Sequence, residues 1–185
     1  MAELTTDDVA DYTRGRLPGN NDPATRQLLD AALAAARRYC GWHVSPVLED
    51  DELDVDGPGG RILSLPTLNL LSVSQVVECG EQVDVSTLDV SRRKGVIAKR
   101  SGCWTSRVGA VTATVTHGFT EAQAADFRNG VLRLVDMKAR EQARDNPDLK
   151  RKKVDDVEYE WFEAALSNDR QLSGLFSQFR ILPSP

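Results

Sequence analysis

The tightest constraint on this chain is a change of hydrophobic period at His117-Gly118. In the run Val108-Gly-Ala-Val-Thr-Ala-Thr-Val-Thr-His117, Val111, Ala113, Val115 and His117 share one side of an extended backbone. Thr112, Thr114 and Thr116 share the other. Alternation of this kind, rich in β-branched residues, predicts a half-buried strand. Gly118 then allows a turn that a Cβ would oppose. Thr120 and Gln123 have the spacing of a capping box. Beyond them Ala124, Phe127, Val131, Leu134 and Val135 recur every three or four residues, one apolar helical face. A helix over about 121–144 is roughly 36 Å long. Whatever else the chain does, it must join a strand to a long amphipathic helix through one glycine.

The N-terminal quarter reads as helical. Thr5-Thr-Asp-Asp8 is a capping-box pattern for a short helix that stops at Gly15. Asp22-Pro23 supplies an N-cap and a first-turn proline to a firmer helix carrying Leu28, Leu29, Ala32, Ala36 and Cys40, ended by Gly41. From Val47 the period becomes two. Short extended runs follow, punctuated by Asp56-Gly-Pro-Gly-Gly60, Pro66, Gly80-Glu81 and Arg92-Arg-Lys-Gly95. Strands segregated between helices make the class α+β. The expected architecture is a small helical bundle with a long helix in its C-terminal half, an inserted antiparallel β-meander at about 47–117, and a docking C-terminal tail. The organisation expected is a core at 1–147 and a tail at 148–185.

That tail begins with Lys150-Arg-Lys-Lys153, continues through Asp155, Asp156, Glu158 and Glu160, and then turns apolar with Trp161, Phe162, Leu175, Phe176 and Phe179. It is too apolar for a solvated tail and too short to bury itself, so it needs a surface, its own core or a partner's. No run of eighteen apolar residues and no signal-peptide pattern is present, which predicts synthesis and retention in a cytoplasm. Cys40, Cys79 and Cys103 lack paired spacing and read as small core residues rather than a disulfide or zinc framework. A formal net charge of −5 argues against a surface that wraps nucleic acid.

Chemistry-bearing motifs are weak. His117 is the obvious catalytic candidate, yet no nucleophile with a positioned base can be read around it, and a strand-end histidine bonded to a loop accounts for it. His43 reads the same way. Asp50-Asp-Glu-Leu-Asp-Val-Asp56 lacks the sixth-position glycine and closing glutamate of a calcium loop, so it reads as a solvated acidic strand. Arg92, Arg93 and Lys94, and Lys150, Arg151, Lys152 and Lys153, could face DNA or a neighbouring subunit, though a solvated face explains both. No catalytic, cofactor or metal residue is assigned.

The order of the pieces is more telling. A helix ends in Tyr39-Cys-Gly-Trp42. Leu63-Ser-Leu-Pro66 leads into Leu71-Ser-Val-Ser-Gln-Val-Val77, followed by a Gly80 turn, a strand at Leu88-Asp-Val90 and a Gly95-Val-Ile97 turn-strand. Val111 to Phe119, ending Val-x-His-Gly-Phe, then opens the long helix. This succession resembles the head-to-tail adaptor (head–tail connector) proteins of long-tailed bacteriophages. The resemblance spans residues 6–144. Many such proteins carry proline and an acid near the start of the junction helix, where this chain has Thr120-Glu-Ala-Gln123.

The resemblance implies a structural virion protein without enzymatic activity or cofactor, made in a host bacterium and placed in the head–tail neck. It implies a ring of about twelve copies. The portal protein would lie on one side, a head-closure or tail-side protein on the other, and genomic DNA would pass through the lumen without sequence-specific binding; no membrane is involved. His117 and Gly118 would then be a structural junction. Trp161, Phe162, Leu175, Phe176 and Phe179 are the residue types that anchor interfaces, here toward portal. Alternatives are another neck ring component (head closure or tail terminator), a small nucleic-acid-binding module using the two basic runs, or an enzyme whose site converges on His117.

Overall fold

A computed structural model of the protein describes residues 3–145, 162, 165–166 and 169–181. Its elements run α1 (Thr6–Thr13), α2 (Pro23–Cys40), β1 (Leu48–Val55), β2 (Ile62–Ser64), β3 (Leu70–Glu78), β4 (Glu81–Val83), β5 (Leu88–Ser91), β6 (Val96–Lys99), β7 (Val111–His117), α3 (Ala125–Asp145) and α4 (Arg170–Ser177). The class is α+β. The chain divides into two compact units, one built on residues 42–120 and the other on residues 2–41 and 121–180. The boundary expected at 147/148 lies outside the described residues.

Among the described residues the first unit holds every strand, in two antiparallel sheets ordered β1-β7-β3-β4 and β2-β6-β5. The expected meander is therefore rearranged. β7 occupies the inside of its sheet with one face buried throughout: Val111, Ala113 and Val115 are fully buried, and His117 ends the same row. β1 and β3 both pair with β7, Leu53 opposing Ala113 and Val76 opposing the same residue from the other side. Residues 56–60 do not fold β1 back on β2. Gly57 and Gly59 donate instead to the carbonyls of Arg107 and Thr105, at 2.9 Å each, carrying the chain from one sheet to the other. The hairpins expected at Gly80 and at Arg92–Gly95 do form, as β3–β4 and β5–β6. Leu63, Leu65, Leu88 and Ile97 join Leu70, Val76, Trp104 and the β7 residues in one apolar core.

The second unit is helical, and its local signals were plain. Thr5 and Asp8 form a reciprocal capping box, with Thr5 N–H to Asp8 Oδ2 at 2.8 Å. Asp22 accepts from Thr25 N–H at 2.9 Å, and Gly41 ends α2 at φ 80°. Residues 121–124 form turns, and the helix begins later than the Thr120 pattern suggested. Its first bond runs from Arg128 N–H to Ala124 O at 2.9 Å. At 21 residues α3 is about 32 Å long. α1 and α2 pack on α3, and α4 packs on α2 and α3.

Candidate functional site

The strand-end histidine is structural in its contacts. His117 is 1% exposed, so neither ring nitrogen faces solvent. Its Nε2–H donates to Asp51 Oδ2 at 2.9 Å, and Trp42 stacks on the ring with centroids 6.2 Å apart. A carboxylate only accepts, so the hydrogen is on Nε2. Nδ1 is buried without a hydrogen-bond partner among the described residues. His43 Nε2–H donates to Pro46 O at 2.7 Å. Gly118 holds φ 106°, and a Cβ there would stand 2.7 Å from Pro46 O. The junction is pinned on both flanks: Gly118 N–H donates to Asn69 O, Asn69 Nδ2 to Gly118 O, and Phe119 N–H to Val44 O.

The apolar C-terminal residues lie in the helical unit. Phe162, Phe176 and Phe179 are buried and Leu175 is half-buried, while Trp161 is outside the described residues. Phe176 meets Phe127 edge-on at 5.5 Å and Tyr39 at 6.3 Å; Phe179 meets Phe127 at 5.9 Å. Gln178 reaches Asp126 and Arg133 reaches Gln171, so polar bonds flank the apolar contact. Of the alternatives open in the sequence, this segment takes its own core as its surface. Lys150, Arg151, Lys152 and Lys153 lie outside the described residues.

Charge in the strand unit is unevenly placed, and this the sequence did not show. β1 is an edge strand carrying Glu49, Asp50, Asp51, Glu52 and Asp54. Three bulges distort its neighbourhood, one at Asp50, where φ is 52°, and two in β3, between Leu70 and Ser72 and between Val73 and Gln75. Asp54 accepts from Thr112 Oγ1 at 2.7 Å, and Asp51 is taken by His117. Among the described residues no Lys or Arg pairs with any of these acids. Arg92, Arg93 and Lys94 form the exposed 3-10 turn between β5 and β6, closed by Gly95 at φ 57°. They too lack an ion-pair partner among the described residues. Nearby cations are committed: Arg100 pairs with Asp89 at 2.9 Å, and Lys99 with Glu78 at 2.5 Å.

The Glu78–Lys99 pair is the other feature sequence reading missed. Lys99 Nζ also donates to Cys103 O and lies 4.6 Å from the Trp104 ring centroid, while Glu78 Oε1 accepts from Thr105 N–H at 2.6 Å. Burial pushes the Glu78 carboxyl up, but the Lys99 hydrogen bond, the Thr105 N–H and the Lys99 charge outweigh it and leave it below its ordinary value. This pair ties the 100–110 loop to the sheets. The cysteines divide: Cys40 is buried as expected, whereas Cys79 and Cys103 are exposed because each falls beside a turn rather than on a core face. No group of three metal-ligating side chains occurs among the described residues, and no described helix is long and apolar enough to cross a membrane.

No family model matches the chain, and no curated protein matches it either. Solved structures do. A chain from the neck of an empty gene transfer agent (GTA) particle, computed with C6 symmetry, is similar at 15% identity and TM-score 0.62, covering 98% of this chain and 91% of its own. A chain from the neck of a native GTA particle, computed with C12 symmetry, is similar at 15% identity and TM-score 0.57, covering 100% and 95%. At such identity the likeness is one of fold. The resemblance to head–tail neck proteins, drawn from the order of helices, turns and strands, is met at that level over almost the whole length of the chain.

Proposed function

We propose that this protein is a structural component of a phage-like neck, a ring of identical copies between the portal and a head-closure or tail-side protein. Genomic DNA would pass through its lumen. The observation that carries the reading is the near full-length fold match to chains of particle necks solved with six-fold and twelve-fold symmetry. Closed symmetry requires side-to-side contacts, and two different patches on each copy can supply them. A net charge of −5 suits a channel through which DNA slides, since a strongly basic lining would hold phosphates.

The C-terminal segment is proposed as the portal-side element, with Trp161, Phe162, Leu175, Phe176 and Phe179 as anchors. Because Phe162, Phe176 and Phe179 are buried within their own unit, their use by portal requires an exchange of one apolar surface for another. Electron microscopy of the purified protein, alone and mixed with portal, tests the function. Rings that cap portal are expected; monomers that ignore portal at every concentration would overturn the reading.

A further inference from the structure

The strand unit carries two opposite charges that its own fold keeps apart. β7 separates β1 from β3, and the Arg92–Lys94 turn packs against β3. At about 4.8 Å per strand, β1 stands roughly 10 Å from β3. An ion pair forms within about 4 Å. Accordingly the β1 acids and the turn's cations remain unpaired with each other among the described residues. A lone solvated patch of one sign is ordinary. A single unit with an acidic edge on β1 and a basic turn packed against β3, with β7 between those strands, carries both halves of a head-to-tail contact.

We propose that the acidic edge of β1 receives the Arg92–Lys94 turn of the next copy of this chain, and that this contact sets the direction of the ring. The inference rests on the ring reading and names its interface. Pairing of one β1 edge with another is disfavoured, since it would set acid against acid; a heterologous contact brings the unlike patches together, and repetition of it closes a ring. The contact is one of side chains rather than an added strand. The bulge at Asp50 interrupts the outer edge of β1, and bulges and charges on an edge oppose backbone pairing with another chain. Both patches are exposed, so the attraction is screened within about 10 Å at 0.1 M salt. Assembly is therefore salt-sensitive.

Two double reversals test this at sites whose side chains make no hydrogen bond among the described residues: Glu49→Lys with Glu52→Lys, and Arg92→Glu with Arg93→Glu. Mass photometry reads the assembly state of the full chain. Wild type forms rings whose midpoint concentration rises with salt. Each reversal alone gives monomers, or a midpoint raised at least about tenfold. Mixing the two variants restores rings, because in an alternating ring each reversed patch meets the other variant's reversed patch and each native patch meets a native one. Circular dichroism of each variant, unchanged from wild type, separates lost assembly from lost fold. Wild-type rings that survive both reversals would overturn the proposal and leave the ring reading intact. So would reversals that lower DNA binding without touching assembly, or a mixture that stays monomeric. Wild type that never assembles, either alone or with portal, overturns the ring reading itself.

Discussion

Replacing Gly130 by alanine asks whether the C-terminal segment truly sits on α3. In an exposed helix interior the change is favourable by about 1 kcal/mol, because glycine gives up more backbone freedom on folding. Here a Cβ at position 130 would stand 2.6 Å from Cζ of Phe176 and 3.0 and 3.1 Å from its two Cε atoms. Carbon atoms rest at about 3.5–4.0 Å, so the ring must retreat by about 1 Å. It has little room. Phe176 is fully buried, with Phe127 edge-on at 85° on one side and Tyr39 on another. Overpacking of a filled site costs about 1–3 kcal/mol. The net effect of Gly130→Ala is thus a loss of up to about 2 kcal/mol, the reverse in sign of the propensity effect.

The measurement is urea unfolding followed by far-ultraviolet circular dichroism, which the helices dominate. With a slope near 2 kcal/mol/M, the midpoint falls by as much as about 1 M. Phe176→Ala alone costs about 3–5 kcal/mol, since it leaves a cavity among aromatic rings. In that background Gly130→Ala changes sign and raises stability by about 1 kcal/mol, because the new methyl enters vacated space. The coupling between the two positions is therefore about 1–3 kcal/mol. If Gly130→Ala stabilises equally in both backgrounds, no ring lies over position 130 and the docked segment is wrong.

Further outcomes follow from the strand unit and the cysteines. Gly118→Ala combines φ 106° with a 2.7 Å approach to Pro46 O and should cost about 2–5 kcal/mol in urea unfolding. Gly109→Ala, at φ 61° with open space around it, should cost only about 1–2 kcal/mol. The Glu78 carboxyl lies below its ordinary value of 4.5, so its pairing with Lys99 stabilises the fold above that value and is lost as pH falls through the lower, folded value. Glu78→Gln should flatten the acid limb of a midpoint-versus-pH curve, and an unchanged limb would remove the pair from that role. Burial pushes the Cys40 thiol up to about 12, against the opposing pull of Arg180. Iodoacetamide on the folded protein should therefore label Cys79 and Cys103 while sparing Cys40, read by mass spectrometry of peptides.

What could be read from the sequence was whatever short-range chemistry decides. Thr5 with Asp8, Asp22 with Pro23, and the β3–β4 and β5–β6 turns each carry their instruction within a few residues, and each forms as read. Pairing across distance was not legible. The period of two in β1 and β7 says that both are strands, but not that β7 will lie between β1 and β3, because register and order are chosen by the shared core. The same gap hid the candidate interface. Glu49 to Asp54 look like any solvated acidic stretch until the sheet order places them on an edge. The Arg92–Lys94 run looks equally ordinary until β3 fixes its flank. Phe176 and Phe179 announced that they needed a surface, and only the packing of α4 showed which one they take.

That docking gives the proposed portal contact a measurable consequence. If portal captures Phe176 and Phe179, it must first draw them from their own core, so its apparent affinity is reduced by the fraction of time the segment is free. A docked state favoured by about 3 kcal/mol lowers that affinity by roughly two orders of magnitude. Loosening the docked state should then tighten portal binding: Gly130→Ala, at about 1 kcal/mol of destabilisation, should improve the apparent affinity about fivefold. If portal instead reads the outer surface of the docked segment, the same substitution weakens binding or leaves it unchanged. Titration of portal against wild type and Gly130→Ala decides between them by direction alone. A fivefold gain identifies exchange. A loss or no change removes Phe176 and Phe179 from the list of anchors and leaves them as the core of the helical unit.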